Sequence, residues 1–258
     1  MEEFDLVVGI HSIGCALLNP KRSHRKIYMT EEGKKELLKR TDVTNHFLSD
    51  MNVVMLDSHE LQEKGKEYFK DLEVEFQRIP SQVFLITSPL EVEDNNWLYE
   101  QIAQKDDLKI LCLDQISDVH NGAAILRTAS FYGIDIVILP GRKSFGFTPS
   151  FYRIASGATE FLDIVQTGSL GKVISKLQAG GVTCIGLTEH VESPLTDQVL
   201  NDAKLGVCLV LGKEETGISH SVLRLIKHQL ALIPQGDVRS LNVSVAAAIS
   251  MEKCFSKK

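Results

Sequence analysis

From Lys109 onward, short unbroken apolar runs alternate with helical stretches, and this pattern restricts the fold more than any other feature of the chain. The runs are ILCLD (110–114), IDIVIL (134–139), VTCIGLT (182–188), GVCLVLG (206–212) and LALIP (230–234). A strand with one wet face alternates apolar and polar residues, whereas a strand covered on both faces is free to be apolar throughout. Helices are predicted between the runs, at Gly122–Tyr132 with Gly133 closing it, Ser169–Gln178, Ser219–His228 and Val243–Cys254. The expectation is an α/β fold with a parallel sheet covered on both sides.

The first part reads as a smaller α/β unit. A short helix is predicted at Val7–Leu18, ended by Pro20. Strands follow at Lys26–Met29, Asn52–Leu56 and Gln82–Thr87. Between them lie a helix capped by Thr30 and running to Arg40, and one opened by Ser58 and running to Phe69. Ser88–Asp107 is acidic and weakly patterned, and reads as a linker with a short helix around Trp97–Ala103, where the tryptophan is a packing anchor. The expected organisation is residues 1–88, a linker at 89–107, and 108–258.

A length of 258 residues accommodates two such domains. The net charge of −6 argues against a simple nucleic-acid binder, but it is uneven. Residues 1–100 hold 12 Lys/Arg and 19 Asp/Glu, a balance of −7, while the remainder holds 16 and 15, a balance of +1. The longest apolar run falls short of 18 residues, so no membrane span is expected. The start, Met1-Glu2-Glu3-Phe4-Asp5, lacks the basic character of a targeting peptide. Cys15, Cys112, Cys184, Cys208 and Cys254 are scattered, with no Cys-x-x-Cys. They read as reduced residues of a cytoplasmic protein, and no metal site is expected.

Ligands of such sheets sit at the carboxyl ends of the strands. Four strand ends stand out: DQISDVHNGAAILRTA, LTEH, LGKEETG and IPQGDVRSLNVSVAAA. No Gly-x-Gly-x-x-Gly follows the first strand, no P-loop occurs, and no Gly-x-Ser-x-Gly elbow occurs, which disfavours ordinary dinucleotide, ATP and serine-hydrolase sites.

These strand ends do resemble a known family. Asn121-Gly-Ala-Ala-Ile-Leu-Arg127-Thr-Ala is similar to the first motif of the SpoU family of RNA ribose methyltransferases, in the SPOUT superfamily. Leu-Val-Leu-Gly212-Lys-Glu214 through Gly217-Ile-Ser is similar to the second. Ile233-Pro234, then Ser240-Leu241-Asn242-Val-Ser244-Val-Ala246, is similar to the third. Gly9-Ile10-His11-Ser12 resembles the start of the ribosomal-protein-like RNA-binding domain that many members carry. The resemblance implies a C-terminal part threaded as a deep trefoil knot, bound S-adenosylmethionine, a homodimer with composite sites, and transfer of methyl to a ribose 2′-hydroxyl. Ribosomal RNA is the expected substrate. A tRNA enzyme of the same family and a catalytically silent RNA-binding factor are the rivals.

Carried onto this sequence, the resemblance implies Asn121, Arg127, Glu214, Ser240 and Asn242 at the reacting ribose. Leu187, Thr188, Gly212, Ile233 and Leu241 are the expected cofactor contacts, mostly through the main chain. Gly212 ends an apolar strand where backbone must come close. Arginine stays protonated, so Arg127 reads as a clamp on phosphate and ribose rather than a literal base. Asn121 is placed just ahead of its helix, able to cap it. Asn242 is also a natural N-cap of the last helix. The motif usually has glycine where Glu215 stands, and a positive φ there would strain a glutamate. RNA contacts are expected from Pro20–Lys26, four of whose seven residues are basic, and from Gly141–Arg153, where three bases interleave with four aromatics.

Overall fold

The computed structural model of the protein describes residues 3–189 and 195–256. It divides into two compact units. One holds the described residues up to Glu91 together with Gly146–Phe161, the other Val92–Phe145 with the described residues from Leu162 on.

In the first unit, β1 (Asp5–Val8), α1 (Ile10–Leu18), β2 (His24–Met29), α2 (Glu31–Arg40), α3 (Asn45–Ser49), β3 (Val53–Met55), α4 (Ser58–Asp71) and β4 (Val83–Thr87) follow in order. The sheet runs β1-β4-β2-β3, with β4 antiparallel to both neighbours and β2–β3 parallel. The predicted helix over Val7–Leu18 is corrected here. Val7 and Val8 pair with Leu85 and Phe84, and Gly9 at φ 95° breaks the strand before the helix begins. Thr30 caps α2 as expected, its side chain accepting from the Gly33 amide. The cap of α4 is Asp57, one residue earlier than expected, in a reciprocal box with Glu60. Leu6, Val8, Tyr28, Phe84 and Ile86 from the sheet pack with Leu61 and Phe69 of α4.

The second unit begins with α5 (Asn95–Gln104), β5 (Leu108–Asp114), α6 (Val119–Phe131) and β6 (Ile136–Pro140). From Val92 on, the stretch expected to be a linker is built into this unit. The Glu93 amide donates to the Ile164 carbonyl, and Leu98 is fully buried in the core. Trp97 packs against that core. After β6 the chain contributes α7 (Pro149–Ala155) to the first unit, then returns for β7 (Asp163–Thr167), a strand the apolar pattern did not reveal. The remainder is α8 (Leu170–Ala179), β8 (Thr183–Leu187), α9 (Asp197–Asp202), β9 (Gly206–Gly212), α10 (His220–Leu223), β10 (His228–Leu230) and α11 (Val243–Phe255).

All six strands are parallel, in the order β10-β8-β9-β5-β6-β7. Ile110, Cys112, Ile138, Cys184, Cys208 and Val210 turn to a core shared with α5 and α8. Their alternates Leu111, Leu113, Leu209 and Leu211 are equally buried, so both faces are covered. The expected strand at 230–234 is corrected to His228–Leu230. Pro234 has no amide to give a ladder, and Ile233 stands 77% exposed in a loop. No helix among the described residues is long and apolar enough to cross a membrane.

Both stretches expected to contact RNA look different in the fold. Residues 24–26 are strand rather than loop, and the Arg22 side chain is buried at 1% exposure. Its Nη1 donates to Asp5 Oδ2 (2.6 Å) and to the Ser88 carbonyl (2.7 Å), while Nε and Nη2 donate to Glu160 (3.0 and 2.7 Å). Burial opposes its charge, but the carboxylates of Glu160 and Asp5 more than compensate, holding the guanidinium above its usual range. Tyr152 Oη also donates to Asp5 Oδ2. In 141–153 the aromatics are packing residues rather than stacking platforms. Phe145, Phe151 and Tyr152 are buried and Phe147 is half-buried, leaving Arg142, Lys143 and Arg153 exposed. The Gly9-Ile-His-Ser stretch receives α7: Ser12 Oγ donates to the Tyr152 carbonyl, and a side chain on Gly9 would press on Arg153 Cα at 3.3 Å.

Candidate active site

Four loops leave the carboxyl edge of the second sheet, from the adjoining strands β10, β8, β9 and β5. β5 and β9 end in register at Asp114 and Gly212. β8, beside β9, ends at Leu187, which pairs with Leu230 of β10. Thr188 follows, its amide donating to the Leu230 carbonyl. The loop after β10 carries Ile233 and leads to Ser240, Leu241 and α11. His190, the last residue of the LTEH strand end, lies outside the described residues.

Asp118 caps α6, its Oδ1 accepting from the Asn121 amide at 2.7 Å. Asn121 is therefore in the first turn rather than ahead of the helix, and its side chain is released from capping. In the sequence, the cap signal is this aspartate three residues before Asn121. Gly122 is required because the Phe145 ring lies on it: an added Cβ would come within 2.3 Å of that ring.

The loop after β9 closes on itself through Lys213 N to Gly217 O (3.1 Å) and Gly217 N to Lys213 O (2.7 Å). A Cβ on Gly212 would fall 2.0 Å from the Gly217 carbonyl carbon. The close approach inferred at Gly212 is thus made by its own loop. Glu215 costs no backbone strain, because the positive φ of this loop falls on Gly217 at 66° and not on residue 215. Glu215 points outward to Lys213 Nζ (2.8 Å), and that hydrogen bond holds its carboxyl below the usual range.

Glu214 turns the other way. Asn242 caps α11, with Oδ1 accepting from the Ser244 amide at 2.9 Å. Its Nδ2 donates to Asn121 Oδ1 at 2.9 Å, and Asn121 Nδ2 donates to Glu214 Oε2 at 3.4 Å. Residues 93 and 121 positions distant from Asn121 in the chain thus form one polar line across three loops. Arg127 and Ser240 do not join it. Arg127 is exposed on α6, six residues beyond Asn121, which is roughly 9 Å up the axis and about a third of a turn round. Gly212 is buried, Leu187 and Thr188 half-buried, and Ile233 and Leu241 exposed.

A six-stranded parallel sheet with polar groups gathered at its carboxyl edge places the chain among α/β proteins, a class whose ligands sit at that edge. The SpoU rRNA methylase family matches residues 109–252, which takes in all four loops. A TrmH family tRNA/rRNA methyltransferase of Staphylococcus aureus is 33% identical over 68% of this chain and 70% of its own length. The chain therefore belongs to the SpoU/TrmH family of S-adenosylmethionine-dependent RNA methyltransferases. A tRNA/rRNA methyltransferase of Synechocystis is 26% identical over the whole of this chain and 64% of its own length. Among solved structures, the SpoU methyltransferase AviRb from Streptomyces viridochromogenes, in complex with AdoMet, superposes with a TM-score of 0.73. It covers 98% of this chain and 89% of that one at 19% identity, so the likeness is one of fold. An RNA 2′-O ribose methyltransferase gives 0.70 over 98% and 88%, also at 19% identity.

Proposed function

We propose that this protein methylates a ribose 2′-hydroxyl of structured ribosomal RNA, drawing the methyl group from S-adenosylmethionine. The observation that carries the reading is the Asn242–Asn121–Glu214 line, which ties the three family motifs together where a parallel sheet binds ligands. S-adenosylmethionine supplies a methyl group made electrophilic by its sulfonium.

The residues present suit that donor. Gly212 lets the 213–217 loop fold back on the strand end, and Ile233 and Leu241, in the loop after β10, leave apolar surface exposed. Leu187, Thr188, Gly212, Ile233 and Leu241 are the proposed cofactor contacts. Asn121, Glu214, Ser240 and Asn242 orient the ribose. Asn121 and Glu214 offer acceptors to the 2′-hydroxyl, while Asn242 fixes the Asn121 amide. Arg127, on its flexible side chain, clamps phosphate and stabilises negative charge growing on the 2′-oxygen.

The remaining elements of the reading are proposed with it. The chain is threaded as a trefoil knot through the loops that bear the cofactor contacts. The first unit is a ribosomal-protein-like RNA-binding domain. The working form is a cytoplasmic homodimer. Phe131 at the end of α6, 83% exposed, and Val245 and Ile249 one turn apart on α11 leave an apolar face suited to a second copy. A tRNA substrate is the second reading, favoured by relatives named tRNA/rRNA methyltransferases. The test is transfer of labelled methyl from S-adenosylmethionine to separated rRNA and tRNA, followed by mapping of the modified nucleotide. Label on ribose 2′-oxygen of rRNA is expected. Label on a base, or only on tRNA, refutes the first reading.

A further inference from the structure

Asp114 is a buried acid that none of the roles above uses. It is the last residue of β5, 3% exposed, and it stands in register with Gly212 of β9. Its Oδ2 accepts from the backbone amide of Ser219 at 2.7 Å. Ser219 closes the loop that begins at Gly212, so this bond fastens the far end of the loop to a central strand 105 residues earlier. The near end is fastened by the Lys213–Gly217 pair and by the packing of Gly212 on the Gly217 backbone. Glu214 lies between these two anchors. A second aspartate does the matching task on the other partner: Asp118 Oδ1 takes the Asn121 amide. Asn121 and Glu214, which meet at 3.4 Å, are thus each set by an acid from the single stretch Asp114–Asp118.

We infer that Asp114 is a positioning residue for the site. It holds the Gly212–Ser219 loop in the conformation that presents Glu214 to Asn121 and keeps the β9 strand end shaped for the methyl donor. The inference rests on the proposed methyl-transfer reading for its kinetic consequence, but its structural content is independent of substrate. What matters is an acceptor at the Oδ2 position. An asparagine supplies one in the same place. A serine keeps a polar group at the strand end but falls short of the Ser219 amide, and an alanine removes the acceptor. Without that acceptor the half-buried Ser219 amide is left unpaired, and the loop rearranges to find water or another partner for it.

The experiment compares wild type with Asp114→Asn, Asp114→Ser and Asp114→Ala in the full chain. The readouts are hydrogen exchange across 212–219, S-adenosylmethionine affinity by calorimetry, and kcat with KM for RNA. For the serine and alanine variants, exchange at Ser219 should accelerate at least tenfold while the β5 and β9 amides keep wild-type protection. Affinity for S-adenosylmethionine should fall at least tenfold, and kcat should fall with KM for RNA unchanged. The asparagine variant should stay within about threefold of wild type in every readout. The serine variant carries the test if alanine does not fold. Wild-type affinity and loop protection in Asp114→Ser overturn the proposal, as does an asparagine variant as impaired as serine. If wild type itself neither binds S-adenosylmethionine nor methylates RNA, the functional reading fails, and the exchange result still decides the role of Asp114.

Discussion

Replacing Arg22 by alanine removes the centre of the buried ionic cluster in the first unit. Four hydrogen bonds of 2.6–3.0 Å disappear together. Glu160, whose side chain is 3% exposed, and Asp5 at 13% then lose the guanidinium they share while still shielded from water. Breaking a buried pair from one side typically costs about 3–5 kcal/mol, because the partner stays behind uncompensated. Each kcal/mol shifts the midpoint by about 2–4 °C in a protein of this size, so a fall of roughly 6–20 °C is expected in the transition that reports the first unit. Differential scanning calorimetry with urea unfolding as a cross-check measures it. Lys35→Ala, on the exposed side of α2, is the control and should move stability by no more than about 0.5 kcal/mol. A loss under about 1 kcal/mol for Arg22→Ala would refute the reasoning and return Arg22 to the set of RNA contacts.

Arg127→Ala should leave folding and cofactor affinity intact, since the side chain is exposed, while turnover falls about 10²–10³-fold. Methyl transfer within threefold of wild type by a folded variant sinks the clamp. Gly212→Val puts a branched side chain into the Gly217 and Ile218 backbone, so the loop must move. Calorimetry should show affinity for S-adenosylmethionine weakened more than tenfold, about 1.4 kcal/mol, and an unchanged value places the donor at another strand end. Glu215→Gly restores the residue more usual in the motif but should leave affinity and kcat within twofold, because residue 215 needs no positive φ and its side chain, 75% exposed, pairs with Lys213. A tenfold gain would show that Glu215 does impair the site.

The parallel sheet was legible because its central strands are buried on both faces and are therefore written as unbroken apolar runs. β7 escaped because DIVQT mixes aspartate, glutamine and threonine with two apolar residues, and its partners become visible only once Ile136–Pro140 and the Glu93 segment lie beside it. The three loops of the site were legible as motifs, and Asn121, Glu214 and Asn242 do converge. Their aiming was not legible: Asp114 and Asp118 act by accepting main-chain amides, and an aspartate at a strand end looks like any other turn residue until the donor is placed. Charge misled at Arg22 for a related reason. Sequence shows a basic run, but only the fold shows that Asp5 and Glu160 enclose one member of it. The aromatics of 145–152 misled similarly, since interleaved rings and bases look alike whether the rings are stacked on RNA or sunk into a core.

A first unit made from two separated stretches sets a timetable for its birth on the ribosome. Arg22 and Asp5 leave the exit tunnel early, but Glu160 and the Tyr152 hydroxyl are synthesised only after all of α5, β5, α6 and β6. At about 5–20 residues per second, the interval between Glu91 and Phe161 lasts roughly 4–14 s. During that interval Gly9, Ser12 and the Arg22 guanidinium have no α7 to receive, and the β1 side of the nascent domain stays open. The usual order, in which an N-terminal domain completes itself before the next begins, is unavailable to this chain. Its first unit is finished from within the translation of its second, and a ribosome stalled anywhere between the two stretches holds a domain that is missing its own keystone.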